Sequence, residues 1–190
     1  MSSDGLPLRG AVIAWAVVTA LALAPTAAAQ RPAEAPSAVT SATTLVFDKN
    51  QHDPTDSRLS VYRGEKLWAV YRAGSGLGVR NDCVRGKGWL PNGSWEIRRK
   101  TRTYDGELIK GYAVYLQDMR CSRGTVTRTE MFIHSEMNRD GSQGRGEARR
   151  WDGAVDYRSN GCVKVKPIDI KKMFRLLDRI GWPTHLRVVS

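Results

Sequence analysis

One stretch of this chain carries a clear helical repeat, and it comes late. After Pro167, apolar residues recur as Ile170, Met173, Phe174, Leu177 and Ile180 until Gly181 and Pro183 end the pattern. Steps of three and four residues put these side chains on one face of a helix, while Lys171, Lys172, Arg175 and Arg179 take the wet side. Pro167 suits a first turn, where its missing amide hydrogen has no partner to lose. The rest of the chain must therefore build its core from strands. Segments 59–62 and 67–71 flank Arg63-Gly64-Glu65-Lys66, a hairpin signal. Trp95 and Ile97 alternate with Glu96 and Arg98, 112–116 is aromatic and apolar, 130–134 alternates, and 186–189 makes a final strand. The pattern predicts a mainly β (β-rich α+β) domain: a compact antiparallel or mixed β-sandwich-like fold with one helix after Cys162.

The chain is divided before that domain begins. Arg9, an apolar run from Ala11 to about Ala24, and Ala27-Ala28-Ala29 ahead of Gln30 have the layout of a signal peptide over 1–29. A spanning helix needs about 20 apolar residues, and Pro25 interrupts this run first, so no stable membrane anchor is expected. The Ala, Pro, Ser and Thr of 30–43 have little to bury and predict a flexible linker. The remainder, 44–190, is of ordinary size for one domain, and is expected to be secreted and monomeric. The formal charge of +11 survives removal of the leader, because Asp4 and Arg9 cancel. Outside a cell, such a charge favours anionic wall polymers over nucleic acid.

Cys83, Cys121 and Cys162 all lie in the exported part. An odd count outside the cytoplasm implies one pair and one leftover thiol, with three pairings open. No Cys-x-x-Cys or His-x-x-x-His spacing is present, so neither a metal nor a cofactor is expected.

The chemistry is carried by Ser159-Asn160-Gly161-Cys162-Val163-Lys164-Val165, which follows Phe132-Ile133-His134-Ser135. A cysteine attacks only as its thiolate and needs a base, for which His134 is the candidate. Backbone amides around a tight Ser-x-Gly-Cys turn, those of Asn160, Gly161 and Cys162, can bind the oxyanion of acyl transfer. Papain-like enzymes generally present cysteine before histidine, the reverse of the order here. The segment 136–158, rich in Gly, Arg, Asp, Asn and Ser, joins the two motifs as a loop over the site, anchored by Trp151 and Tyr157. Gly74-Ser75-Gly76-Leu77-Gly78 lacks the helix and Lys-Ser/Thr of a phosphate loop and reads as a strand connection. His52 reads as a turn residue and His185 as part of the last strand.

The two motifs resemble the signature of the L,D-transpeptidases, secreted cysteine enzymes that cross-link peptidoglycan, in which Ile-His precedes Ser/Thr-His-Gly-Cys. The resemblance runs from about Thr44 to the C-terminus and includes Leu90-Pro91-Asn92-Gly93-Ser94-Trp95, similar to the family's Thr-Pro-x-Gly segment. It implies that Cys162 is the nucleophile, that His134 is proton donor and acceptor, and that the Ser135 carbonyl orients the imidazole. Ser159, Asn160 and Gly161 would form the oxyanion turn, with Lys164, Trp151 and Tyr157 contacting peptidoglycan stem peptides. With Cys162 committed to catalysis, Cys83 and Cys121 are left to pair. Asn160 replaces the family's usual His and cannot shuttle protons near neutrality. Lys164 stands where many relatives have Arg, keeping charge but losing bidentate capture of a carboxylate. The activity so implied is cross-linking through an acyl-enzyme; the alternatives are L,D-carboxypeptidase action and a non-catalytic cationic protein holding wall polymers.

Overall fold

The computed structural model describes residues 41–190. The signal-peptide segment and all but the last three residues of the linker lie outside them. Strand β1 (Thr43–Asp48) begins one residue ahead of the expected domain start, with Thr43 opposite Arg63. The hairpin anticipated around Gly64 joins β2 (Ser57–Arg63) to β3 (Lys66–Ser75), and Gly64 takes the left-handed φ of 58° that such a turn requires. Strands β4 (Gly93–Asp105) and β5 (Lys110–Leu116) form a second long antiparallel pair. A small arm of β6 (Met119–Arg120) and β7 (Thr127–Arg128) follows. Then come β8 (Phe132–His134), β9 (Val163–Val165), helix α1 (Pro167–Ile180) and β10 (His185–Val189).

The strand-rich α+β class predicted from the pattern is what forms. The layers expected of a sandwich are joined edge to edge: eight strands run β1, β10, β4, β5, β8, β9, β3, β2 and close on themselves as a barrel. Closure leaves no unpaired edge among these strands. Most neighbours are antiparallel, but β1 pairs with β10 and β8 with β9 in parallel, which demands long crossover connections. Period-two alternation sends Leu45 and Phe47, Leu59 and Val61, and Leu186 and Val188 into the core. Trp95 is fully buried, its indole nitrogen donating to the Pro91 carbonyl at 2.9 Å.

The predicted helical stripe packs as expected: Ile170, Met173, Phe174 and Leu177 are buried. Phe174 receives Tyr112 and Trp182 edge-on, with ring centroids 5.0 and 4.8 Å away. Cys83 and Cys121 form a disulfide that ties the loop after β3 to the β6–β7 arm, and Cys162 remains free.

Phe174→Ala should destabilise the domain by about 3–5 kcal/mol, read as a lowered urea midpoint at unchanged slope; a loss below about 1 kcal/mol would mean that α1 is not docked through this ring. Reducing the disulfide, which spans 38 residues of sequence, should remove about 2–4 kcal/mol, measured by the same titration with and without a phosphine reductant.

Candidate active site

The parallel step between β8 and β9 brings the two motifs together. Ile133 lies opposite Val163 and His134 opposite Lys164, so Cys162, one residue ahead of β9, is level with Phe132. Alternation turns Ile133 and Val163, both fully buried, into the core. Cys162, Lys164, Phe132 and His134 then share the other face, with His134 diagonal to the cysteine. The neutral imidazole is held in one tautomer. Its Nδ1 lies 3.2 Å from the Ser135 carbonyl, which can only accept, so Nδ1 carries the hydrogen and Nε2 keeps the lone pair.

Ser159 builds the turn before the cysteine. Its Oγ accepts the amides of Gly76 and Gly161, each at 3.1 Å, and donates to the Cys162 carbonyl at 2.6 Å. The Ser159 amide in turn donates to the Gly76 carbonyl. Gly161 has φ of 115°, a conformation that side chains rarely adopt, and a Cβ there would overlap the Arg128 guanidinium. Its carbonyl accepts Ser75 Oγ at 2.9 Å. Of the three amides expected to face an oxyanion, that of Gly161 is thus already donated to Ser159. Those of Asn160 and Cys162 have no partner among the described residues. The segment 74–78, expected only to connect strands, is partly strand: Gly74 pairs with Lys164 and Ser75 with Val163. It forms the back wall of the turn.

Burial governs protonation at both groups. The thiol, 6% exposed, donates to the Glu130 carbonyl 3.7 Å away. Desolvation pushes it up to about 11, against the opposing pull of the Phe132 amide and the Arg128 and Lys164 charges. Desolvation, reinforced by the Lys164 ammonium, pushes His134 down to about 3. At neutral pH the resting pair is therefore thiol and neutral imidazole, not the ion pair that a more exposed site would favour.

Three residues expected to contact substrate are drawn into the protein's own network. Lys164 is ion-paired with Glu136, both largely buried, and its ammonium lies 6.0 Å from the Trp151 ring centre. The ammonium is therefore already matched by a carboxylate, a partner that its expected contact with stem peptides did not include. Trp151 meets Tyr157 edge-on at 4.7 Å, and the Arg72 guanidinium sits 4.5 Å from the Tyr157 ring centre. The 136–158 connection is pinned from within, where Asp156 accepts the amides of Asp152 and Gly153 at 2.7 and 2.8 Å. Two polar atoms beside His134, Ser135 Oγ and Glu136 Oε2, are buried without a partner among the described residues.

The sequence did not single out Arg128, Glu130 or Glu136. Thr127-Arg128-Thr129-Glu130 has the composition of an exposed strand, yet Arg128 is 1% exposed. Glu130 is the one non-glycine residue with positive φ, 56°, among the described residues. Local backbone strain of this kind gathers at functional sites, but no residue type announces it.

A family model described as the L,D-transpeptidase catalytic domain (YkuD) matches residues 43–181. Among solved structures, the chain is similar to L,D-transpeptidase 1 of Mycobacterium tuberculosis, with 16% identity and a TM-score of 0.42 over 78% of this chain and 63% of that one. It is also similar to Bd1075 of Bdellovibrio bacteriovorus, at 19% identity and a TM-score of 0.46 over 79% and 48%. An L,D-transpeptidase from Mycobacterium smegmatis matches at 11% identity and a TM-score of 0.43, over 78% and 59%. The chain thus spans about half to three-fifths of the length of these proteins. The comparison with curated proteins gave no match. With 139 residues of the chain (43 through 181) matching the family model, the chain belongs to the L,D-transpeptidase catalytic-domain family.

Proposed function

We propose that this protein is an exported L,D-transpeptidase that cross-links peptidoglycan through a thioester on Cys162. The observation that carries the reading is the juxtaposition of the one free thiol among the described residues with His134 on the neighbouring parallel strand. Export is supported by the signal-like leader, and a wall substrate by the family and the net charge of +11.

In this reading the thiol swings from the Glu130 carbonyl toward His134, a tightening that resting sites commonly require. Nε2 takes the proton as sulfur bonds to the carbonyl carbon of the third residue of a donor stem peptide. Because thiolate and imidazolium are both costly when buried, proton transfer and attack proceed together. The amides of Asn160 and Cys162 receive the oxyanion; losing one such donor typically costs about 10²- to 10³-fold in rate. Collapse breaks the bond to the terminal D-residue, whose amine leaves with the proton from His134. An acceptor amine then gives its proton to His134, attacks the thioester and releases the cysteine. Ser159 keeps the turn in shape, and the Ser135 carbonyl keeps Nε2 free.

Incubation with tetrapeptide-stem muropeptides should give a mass adduct on Cys162 and dimers joined through third residues, both absent in Cys162→Ala. Release of a shortened monomer without dimers would assign L,D-carboxypeptidase action instead. An inert thiol with salt-sensitive wall binding would assign a non-catalytic cationic binder.

Stability should follow the same protonation pattern. Unfolded His134 regains a pKa near 6.5 against about 3 when folded, so the unfolded chain takes up more protons as pH drops below 6.5, and stability falls from there toward 3. Unfolded Cys162 returns to about 9 against about 11 when folded, so its contribution is present below 9 and lost as pH rises toward 11. Urea midpoints across pH should show His134→Gln flattening the acid side and Cys162→Ala the alkaline side, each relative to wild type. Variants whose pH dependence parallels wild type would remove these two groups from the account.

A further inference from the structure

We propose that Arg128 is a positioning residue of the acyl-transfer site, supplying a buried positive charge outside any ion pair that favours negative charge on Cys162 and holds the turn beside it. The proposal rests on the reading of Cys162 as nucleophile. Arg128 ends β7, is 1% exposed, and spends its donors on main-chain carbonyls. Nη1 donates to Asp82 and Trp89, and Nη2 to Gly88 at 3.2 Å and Asn160 at 3.4 Å, beside the Met131 sulfur at 3.7 Å. The guanidinium therefore joins the disulfide-anchored 82–89 loop to the carbonyl of the residue that begins the oxyanion turn. Gly161 permits this approach because a side chain there would occupy the space of Nη2.

The charges facing Cys162 come from three elements. Lys164 on β9 is already matched by Glu136. Glu130, just before β8, opposes thiolate formation, and His134 on β8 is neutral. Arg128, from the arm, is in no ion pair among the described residues: the Asp82 carboxylate acts on it from beyond that distance while accepting hydrogen bonds from Ser122, and Arg85 opposes it. A buried cation outside any ion pair is costly to keep, and it is relieved when an anion forms next to it. Carbonyls need only a hydrogen-bond donor; the positive charge is what acyl-transfer chemistry can use. Arg128 and Cys162 influence each other's ionisation in the same sense, each favouring the charged form of its partner.

The test separates charge from hydrogen bonding with two variants of the full chain, Arg128→Gln and Arg128→Lys. The pH dependence of Cys162 alkylation by iodoacetamide is measured with Cys162→Ser as blank, Cys83 and Cys121 being held in their disulfide. The glutamine variant should raise the alkylation midpoint by about one unit, slowing the reaction about tenfold below it, whereas the lysine variant stays within about 0.3 unit of wild type. Equal midpoints in all three proteins, or equal shifts in both variants, would overturn the proposal and leave Arg128 as a structural pin. If circular dichroism shows that the glutamine variant does not fold, the lysine variant decides: a folded protein with a midpoint near wild type supports the proposal, and a rise of about a unit overturns it. Acyl-enzyme formation by wild type is measured in parallel, because its failure would refute the enzymatic reading while the alkylation profiles still judge Arg128.

Discussion

The site depends on one parallel pairing between two very short strands. β8 and β9 are three residues each, too short to hold a register alone, and their alignment is imposed by neighbours. β8 is fixed by β5 on its other side and β9 by β3, within a ladder that closes on itself. Because side chains alternate with a period of two, a slip of one residue would turn Cys162 into the core and carry Val163 to the face of His134. Ile133 and Val163, both fully buried, oppose that slip with their apolar area. Ser159 adds a local constraint, binding the turn on three sides through one hydroxyl.

Electrostatics at this face follow from burial. Removing the thiol and imidazole from water disfavours the charged form of each, so the resting site is neutral. Two cations lean the other way for sulfur, and they differ in kind. Lys164 brings its counter-charge with it, in a pair whose net field is small beyond contact distance. Arg128 makes no ion pair and gives most of its hydrogen bonds to main-chain carbonyls, with the Asp82 carboxylate acting on it only from a distance. The disulfide lies behind Arg128, since Cys83 belongs to the loop whose carbonyls receive the guanidinium and Cys121 to the arm that carries it. A stapled loop is thereby connected through one side chain to the turn that presents Cys162.

Much of the local structure could be read in the chain because its cause is local. The α1 stripe, the Gly64 hairpin and the alternation of β8 are periodicities of neighbouring residues. The histidine and cysteine were legible for another reason, since their residue types suit one chemistry and their flanks resemble a known signature. Lys164 shows what that reading left out. Nothing in 159–165 discloses that Glu136, at the start of a long crossover, neutralises its ammonium. The Gly74–Gly78 run was legible as glycine-rich, but its role as the wall behind Ser159 depends on a strand paired from the far end of the sequence.

The sequence by itself determined the helix, the Gly64 hairpin, the strand-rich class and the candidate pair of Cys162 and His134, because hydrophobic period, turn residues and side-chain chemistry act over a few residues. Tertiary structure alone decided that the sheet closes into a barrel, that Cys162 and His134 share a face, and which charges around them are compensated. Those outcomes turn on strand register and on the burial of Arg128, Lys164 and Glu136, residues whose types ordinarily face water. Register and burial are properties of chain segments brought together from distant positions, and no local pattern encodes them.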